Sequence, residues 1–226
     1  LRKELNDLRG LDRKSSAFTG IKDDLQRWAT FIPLLGELKD PSMDVEDQRH
    51  WKDVQKVTQK EFTVDEETPL EVVWELKLFE YKDQIEEITD KAKQEAKMEK
   101  TLNKIEEKWK EVVFEKVQHK DTNIMLLKMS DENFEALEEN QVQIQNMSAS
   151  KYLAYFEAVV NKWRESLAAI FDVVQLLAEV QKTWSFLENL FIQSEEVMKE
   201  LPNETEKFRD IDRRVKAIIE DGNKIM

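Results

Sequence analysis

The sequence predicts a mainly α-helical protein, an elongated array of long helices and helical bundles with one small β-hairpin at about residues 112–129. Three observations predict it. Only four glycines and four prolines interrupt 226 residues, too few for a turn-rich sandwich or a doubly wound sheet. Charged residues make up 37% and hydrophobic residues 40%, and apolar positions recur at three- and four-residue steps over most of the chain. One stretch, from Val112 to Met129, breaks that period with β-branched and apolar residues on both sides of a polar pentapeptide.

Leu1, Leu5 and Leu8 carry helical spacing, so residues 1–19 read as an upstream helical segment cut from something longer. Residues 20–110 form the N-terminal helices. Trp28, Phe31, Ile32, Leu35 and Leu38 place a helix over about 20–38, with Pro33 kinking or splitting it. Asp40-Pro41-Ser42 makes a turn, and Trp51, Val54 and Val57 share one face of a helix that begins near Ser42 or Val45. Thr68-Pro69-Leu70-Glu71 is a helix start. The Thr68 hydroxyl can accept from the Glu71 N–H, Glu71 can return the bond, and Pro69 takes the first helical position, where no N–H is needed. That helix runs to about Lys110, with Leu78, Tyr81, Ile85, Ile88 and Ala92 in one stripe and Met98, Leu102, Ile105 and Trp109 in its shifted continuation. It amounts to roughly 40 residues, or about 60 Å of rod packed along one side.

Residues 111–129 hold the hairpin, with strands 112–118 and 124–129 flanking the loop His119-Lys120-Asp121-Thr122-Asn123. Residues 130–226 form a C-terminal helical bundle. Ser130 can cap a first turn that carries Asp131 and Glu132. From about 150 to 192 one stripe, Phe156, Val159, Trp163, Leu167, Ile170, Val174, Leu177, Gln181, Trp184, Leu187 and Phe191, contains no glycine or proline and fits either one helix or two. Pro202 punctuates the chain before the last helix, whose face of Phe208, Ile211, Val215, Ile218 and Ile219 ends near Gly222.

Most chemistry is excluded by composition. The net charge of −13, with Lys and Arg interspersed among acids, repels a phosphate backbone or an anionic bilayer, so neither nucleic acid nor membrane is an expected partner. With no cysteine there is no disulfide, thiolate site or cysteine nucleophile, and a soluble protein of the reducing cytoplasm is expected. Glycines stand only at 10, 20, 36 and 222, so no phosphate loop can be written, and no cofactor is expected in this segment. The two histidines carry no metal signature, since Asp47 three before His50 and Glu115 four before His119 are single pairs. No catalytic residue is expected.

The six tryptophans read as structure. Trp109, Trp163 and Trp184 lie on apolar helical stripes and are core candidates, as are Trp28 and Trp74. Trp51 anchors its helix, and Arg49-His50-Trp51 is placed at a packed edge or a domain contact.

Several ordered segments resemble one family. "RHWKDV" after a proline turn, "KAKQEAKMEKTLNKIEEKWKEVVFE", "LEENQVQIQNMSASKYLAYFEAVVNKW" and "EVQKTWSFLENLFIQSEEVMKELPNETEKFRDID" resemble the N-terminal linker region of dynein heavy chains, the axonemal or ciliary type above all. The resemblance covers about residues 20–219. It implies a mechanical linker in an ATP-driven microtubule motor, a curved helical rod that arches over a ring of ATPase modules, joins it to the tail and bends with the nucleotide cycle. It further implies that ATP binds in ring modules elsewhere, and that the ring and tail of the same heavy chain are partners. Other dynein subunits and axonemal microtubules would be reached through the parent motor, in the cytoplasm and the axoneme of a cilium or flagellum. A generic helical scaffold of spectrin-like type is the alternative, which fits the periodicity and not the hairpin.

Overall fold

The computed structural model describes residues 15–64 and 68–225. The helical spacing of Leu1, Leu5 and Leu8 lies outside the described residues. Among those described, the order is α1 Ser16–Leu38, a 3₁₀ turn Pro41–Met43, α2 Arg49–Thr58, α3 Leu70–Glu75, a 3₁₀ turn Leu78–Tyr81 and α4 Lys82–Glu111. Then follow β1 Glu115–Gln118, β2 Met125–Lys128, α5 Asp131–Ser148, a 3₁₀ turn Leu153–Tyr155, α6 Glu157–Phe191, α7 Glu195–Glu200 and α8 Pro202–Ile225. The fold is mainly α with one two-stranded antiparallel hairpin. The chain divides into two compact units, residues 1–100 and 101–226.

In the first unit, α1 starts four residues earlier than its apolar stripe suggests, because Ser15 Oγ accepts from the Phe18 N–H at 3.2 Å. The helix runs through Pro33 without a split. Its buried positions are Phe18, Phe31, Leu34 and Leu38, whereas Ile32, expected on the core stripe, is 61% exposed. Steps of three and four from Phe31 reach Leu34 and Leu38 and leave Ile32 on the opposite side. Phe31, Leu34 and Leu38 pack with Met43, Val54, Leu78, Ile85 and Ala92. An aromatic group fills the centre: Trp28 stacks on Trp74 at 4.1 Å, and Phe31 meets Trp74 edge-on at 5.1 Å.

That group explains why the expected helix over 68–110 is broken. Pro69 is the extended N-cap residue, so the reciprocal Thr68–Glu71 cap does not set the start, and α3 ends at Glu75. Lys77 takes a left-handed conformation (φ 54°), a single 3₁₀ turn follows, and α4 begins at Lys82. In one unbroken helix Trp74 and Phe79 would lie about 140° apart around the axis. The break turns both inward, with ring centroids 5.0 Å apart and both packed on Phe31.

In the second unit, Ser130 caps α5 by accepting from the Asn133 N–H at 3.2 Å. The long stripe after residue 150 resolves into a 3₁₀ turn and one unbroken 35-residue helix, α6. Its buried residues Val160, Leu167, Val174, Gln181 and Glu188 are spaced by seven, the signature of a heptad seam. The hairpin is shorter than expected, with the register running from Glu115↔Lys128 to Gln118↔Met125 and the turn closed by His119 N–H to Ile124 O at 2.8 Å. Residues 112–114 connect it to α4.

The outer edge of β2 is covered by side-chain amides. Leu127 donates its N–H to Gln181 Oε1 and accepts from Gln181 Nε2, both at 2.9 Å, as a neighbouring strand would. Asn223 Nδ2 donates to Met125 O at 2.7 Å. The last helix passes the expected stop at Gly222 and continues to Ile225, and the glycine lies against the hairpin, where a Cβ would meet Leu127 Cδ1 at 2.7 Å. On α8, Phe208, Val215 and Ile219 are buried, while Ile211 and Ile218, expected beside them, are 49% and 61% exposed.

Gln181→Leu should strand a buried N–H and a buried carbonyl at Leu127 and lower stability by about 2–4 kcal/mol. A urea titration of the variant checks it, and a midpoint equal to the wild type would show that the Gln181 clamp contributes nothing.

Candidate functional site

Among the described residues each unit encloses one carboxylate, and the charged groups gathered around it form the candidate site of that unit. In the first, the motif Arg49-His50-Trp51 opens α2 after Gln48, whose left-handed backbone (φ 55°) turns the chain into the helix. Arg49 Nε donates to Glu95 Oε2 of α4 at 2.7 Å, and Glu95 is only 1% exposed. Asp47, three residues before His50, pairs with Arg49 instead, accepting from its backbone N–H at 3.2 Å and from Nη1 at 3.1 Å. Lys91 bridges α4 to Asp53 of α2 at 2.9 Å. Removal of Arg49 and Asp53 from water works against their charged forms, but their partners outweigh it, so the Arg49 pKa is raised and that of Asp53 lowered.

His50 corrects the expectation of an edge residue. It is fully enclosed, its Nε2 lies 3.6 Å from Glu95 Oε2, and neither ring nitrogen has a hydrogen-bond partner. Burial pushes its pKa down, Glu95 pulls it up, and Arg49 and Lys91 push it down again, for a net lowering. Trp51 is half-buried and meets Phe62 edge-on at 6.4 Å.

The second unit's site joins the hairpin turn to α6 and α8. Glu188, 6% exposed on the α6 seam, lies 2.7 Å from His119 Nε2 and accepts from Lys120 Nζ at 2.8 Å, both through Oε2. Lys120 also reaches Asn189 Oδ1, at 2.6 Å. An ionised carboxylate can only accept, so Nε2 is the donor. His119 is therefore paired with Glu188 across 69 residues, not with nearby Glu115. Burial raises the Glu188 pKa, the bonds from His119 and Lys120 lower it, and the bonds prevail. From α8, Lys216 Nζ stands 3.9 Å from Glu188 Oε1 and donates to Asp212 at 2.8 Å, and Trp184 Nε1 donates to the other Asp212 oxygen at 2.9 Å.

Trp184 is thus 2% exposed, with Phe208, Val215 and Ile219 around it and the His119 ring 4.6 Å away. Trp109 is half-buried, its Nε1 donating to Asn140 at 2.9 Å, and Trp163 is half-buried. Sequence reading passed over Glu95 and Glu188. A signal existed, since each occupies a seam position of its helix, three residues after Ala92 and seven after Gln181. Among the described residues no three His, Asp or Glu side chains gather as a metal site would require, and no helix is long and apolar enough to cross a membrane. The two clusters hold helices and a hairpin turn in place.

The family described as "Dynein heavy chain, N-terminal region 2" matches residues 1–225. The chain belongs to the dynein heavy chain family. It is 38% identical over 218 residues to the dynein alpha chain of the flagellar outer arm of Chlamydomonas reinhardtii, covering 96% of this chain. It is 37% identical over 226 residues to dynein axonemal heavy chain 17 of Homo sapiens and 35% identical over 226 to the ciliary dynein beta chain of Tripneustes gratilla, in each case over 99% of this chain. It spans 5% of the length of each of these relatives.

The two buried sites of this dynein segment set two limbs of its stability against pH. His50 has a folded pKa below its ordinary value of 6.5, so the unfolded chain binds the proton first. The stability it contributes is complete above 6.5 and falls as pH drops from there toward the folded value, by at most about 1.4 kcal/mol per pH unit. Glu188, also lowered, contributes stability that is present above 4.5 and is lost as pH falls through its folded value. His50→Gln should flatten the upper limb alone, and Glu188→Gln should make the lower limb shallower, a limb to which Asp53 also contributes, as read by urea midpoints measured from pH 8 to pH 3. A His50→Gln curve parallel to the wild type over the upper limb would show that His50 does not titrate across folding.

Proposed function

We infer that the chain is a mechanical segment of the linker region of an axonemal dynein heavy chain. It joins the tail to the ring of ATPase modules and transmits the ATP-driven stroke for microtubule-based movement of a cilium or flagellum. The observation that supports this reading is the match to heavy chains named axonemal, ciliary and flagellar over 96–99% of the chain. The segment itself carries no catalytic residue and holds no nucleotide, and ATP binds in modules elsewhere in the heavy chain. Its partners are the ring and tail of that chain and, through the motor, other dynein subunits and axonemal microtubules. The setting is the cytoplasm and the axoneme. Any domain contact at the Arg49-His50-Trp51 turn is made by Arg49 and Trp51, because His50 is enclosed.

A transmitting element must resist bending where load passes. In the second unit the 35-residue α6 is tied to the hairpin turn through Glu188, to β2 through Gln181 and to α8 through Trp184. Truncating a tryptophan so enclosed costs about 3–5 kcal/mol, a large share of the roughly 5–15 kcal/mol that holds a domain folded. Trp184→Ala in the full heavy chain should therefore slow microtubule gliding by a much larger factor than it lowers basal ATPase rate, in a motor that assembles normally. Gliding and ATPase measured on the same preparation check it. Gliding at the wild-type rate would place this helix outside the force path.

A further inference from the structure

The buried seam of α6 is one of two. On the opposite side of the same helix Ala169, Val173, Leu176, Val180, Thr183 and Leu190 follow steps of four and three that leave out only Leu187, itself half-buried, and this face is exposed. Val173 and Leu176 are 58% and 61% accessible, and Val180 and Leu190 are 37% and 39%. Such alternation is the a/d pattern that a second helix fills. Exposed polar side chains would serve an exterior face, whereas a row of valines and leucines in heptad register is a contact surface.

The flank of this seam states the chemistry of what covers it. Glu165, Asp172 and Glu179, spaced by seven and all exposed, run along one side, with Asp172 and Glu179 immediately before Val173 and Val180, and exposed Phe186 continues the row. None is ion-paired among the described residues. In a two-helix contact that row faces the flanking row of the partner, so the partner carries Lys or Arg there. A second copy of this chain does not fit. Packed antiparallel it would set this acidic row against itself, and packed parallel it would offer Ile170, Leu177 and Trp184, which face the other seam and are partly or fully buried.

We propose that the exposed seam of α6 is the docking site of an amphipathic, basic-flanked helix from another part of the same heavy chain. The seven-residue repeat of its apolar row and of its acidic row identifies a helix as occupant, and the charge identifies its flank. The source follows from length: the chain is 5% of each relative, and a covalently linked helix competes at an effective concentration in the millimolar range. The proposal rests on family membership and is independent of the mechanical role argued above.

The test places a photo-crosslinking phenylalanine analogue at Val173 or at Leu176 in the full heavy chain, with the exposed position Glu204 of α8 as control. Chains of two isotopic compositions are mixed, so that linkage within one molecule is told from linkage between two. The expected result is crosslinking about tenfold above the control, as a millimolar local concentration implies, into a peptide of the same molecule with a four-three apolar repeat and flanking Lys or Arg. Asp172→Lys combined with Glu179→Lys should cut that yield about fivefold, the effect of reversing two exposed ion pairs. Crosslinks into a second copy or another polypeptide, or none above the control, would overturn the proposal. So would a yield that the double charge reversal leaves unchanged.

Discussion

A carboxylate withdrawn from water must be met by cations or donors, and in each unit that requirement fixes which elements come together. Glu95 on α4 is held by Arg49 from α2, and Glu188 on α6 is held by His119 and Lys120 from the hairpin turn with Lys216 of α8 nearby. Desolvating an ion costs several kcal/mol, so these groups do little for stability by themselves. Their effect lies in what they forbid. A register slip of α6 by one heptad would keep apolar residues in much of the seam yet carry Glu188 away from every partner, and the penalty for the bare charge rejects that arrangement.

Gln181 does the same with an uncharged group. A strand at the edge of a two-stranded sheet exposes unpaired amides and carbonyls, which invite a foreign strand. Here one glutamine supplies both missing bonds to Leu127, and Asn223 supplies one to Met125. The hairpin therefore belongs to the helical unit as firmly as any helix does, although it contributes only four residues per strand. Gly222 belongs to this arrangement: the smallest residue stands where α8 passes the Leu127 side chain, with no room for an unshifted Cβ.

Local chemistry made much of this legible in the sequence. The Ser130 cap, the hairpin and the seam through Leu167, Val174 and Gln181 depend on neighbours within a few residues, which a sequence displays directly. What escaped depends on distant partners. The bonds that place Glu95, Glu188 and Gln181 span 46, 69 and 54 residues, and no local pattern announces them. The break between α3 and α4 escaped for a related reason, since Lys77 carries no glycine-like mark for its left-handed backbone and the aromatic group that rewards the turn draws on Trp28 and Phe31 from another helix. Trp51 reads as the anchor of α2 because Val54 and Val57 extend its face, but the enclosed position belongs to His50, one residue earlier, where the helix faces Glu95.

A polar seam also resists sliding better than a wholly apolar one. Apolar packing is non-directional, so helices joined by it alone can slide by small steps and repack with modest loss. Directional bonds at Gln181 and Glu188 lie seven residues apart, about 10 Å along α6, and both must break together before the hairpin can shift on the helix. Sliding then becomes an all-or-none event with a barrier, and below that barrier the unit behaves as one stiff body. Stiffness of this kind comes from the charges that make the seam costly to desolvate. Leucine at those two positions would leave the Leu127 N–H and carbonyl and the His119 and Lys120 side chains without these partners, and would remove both of the directional bonds that fix the register of the seam.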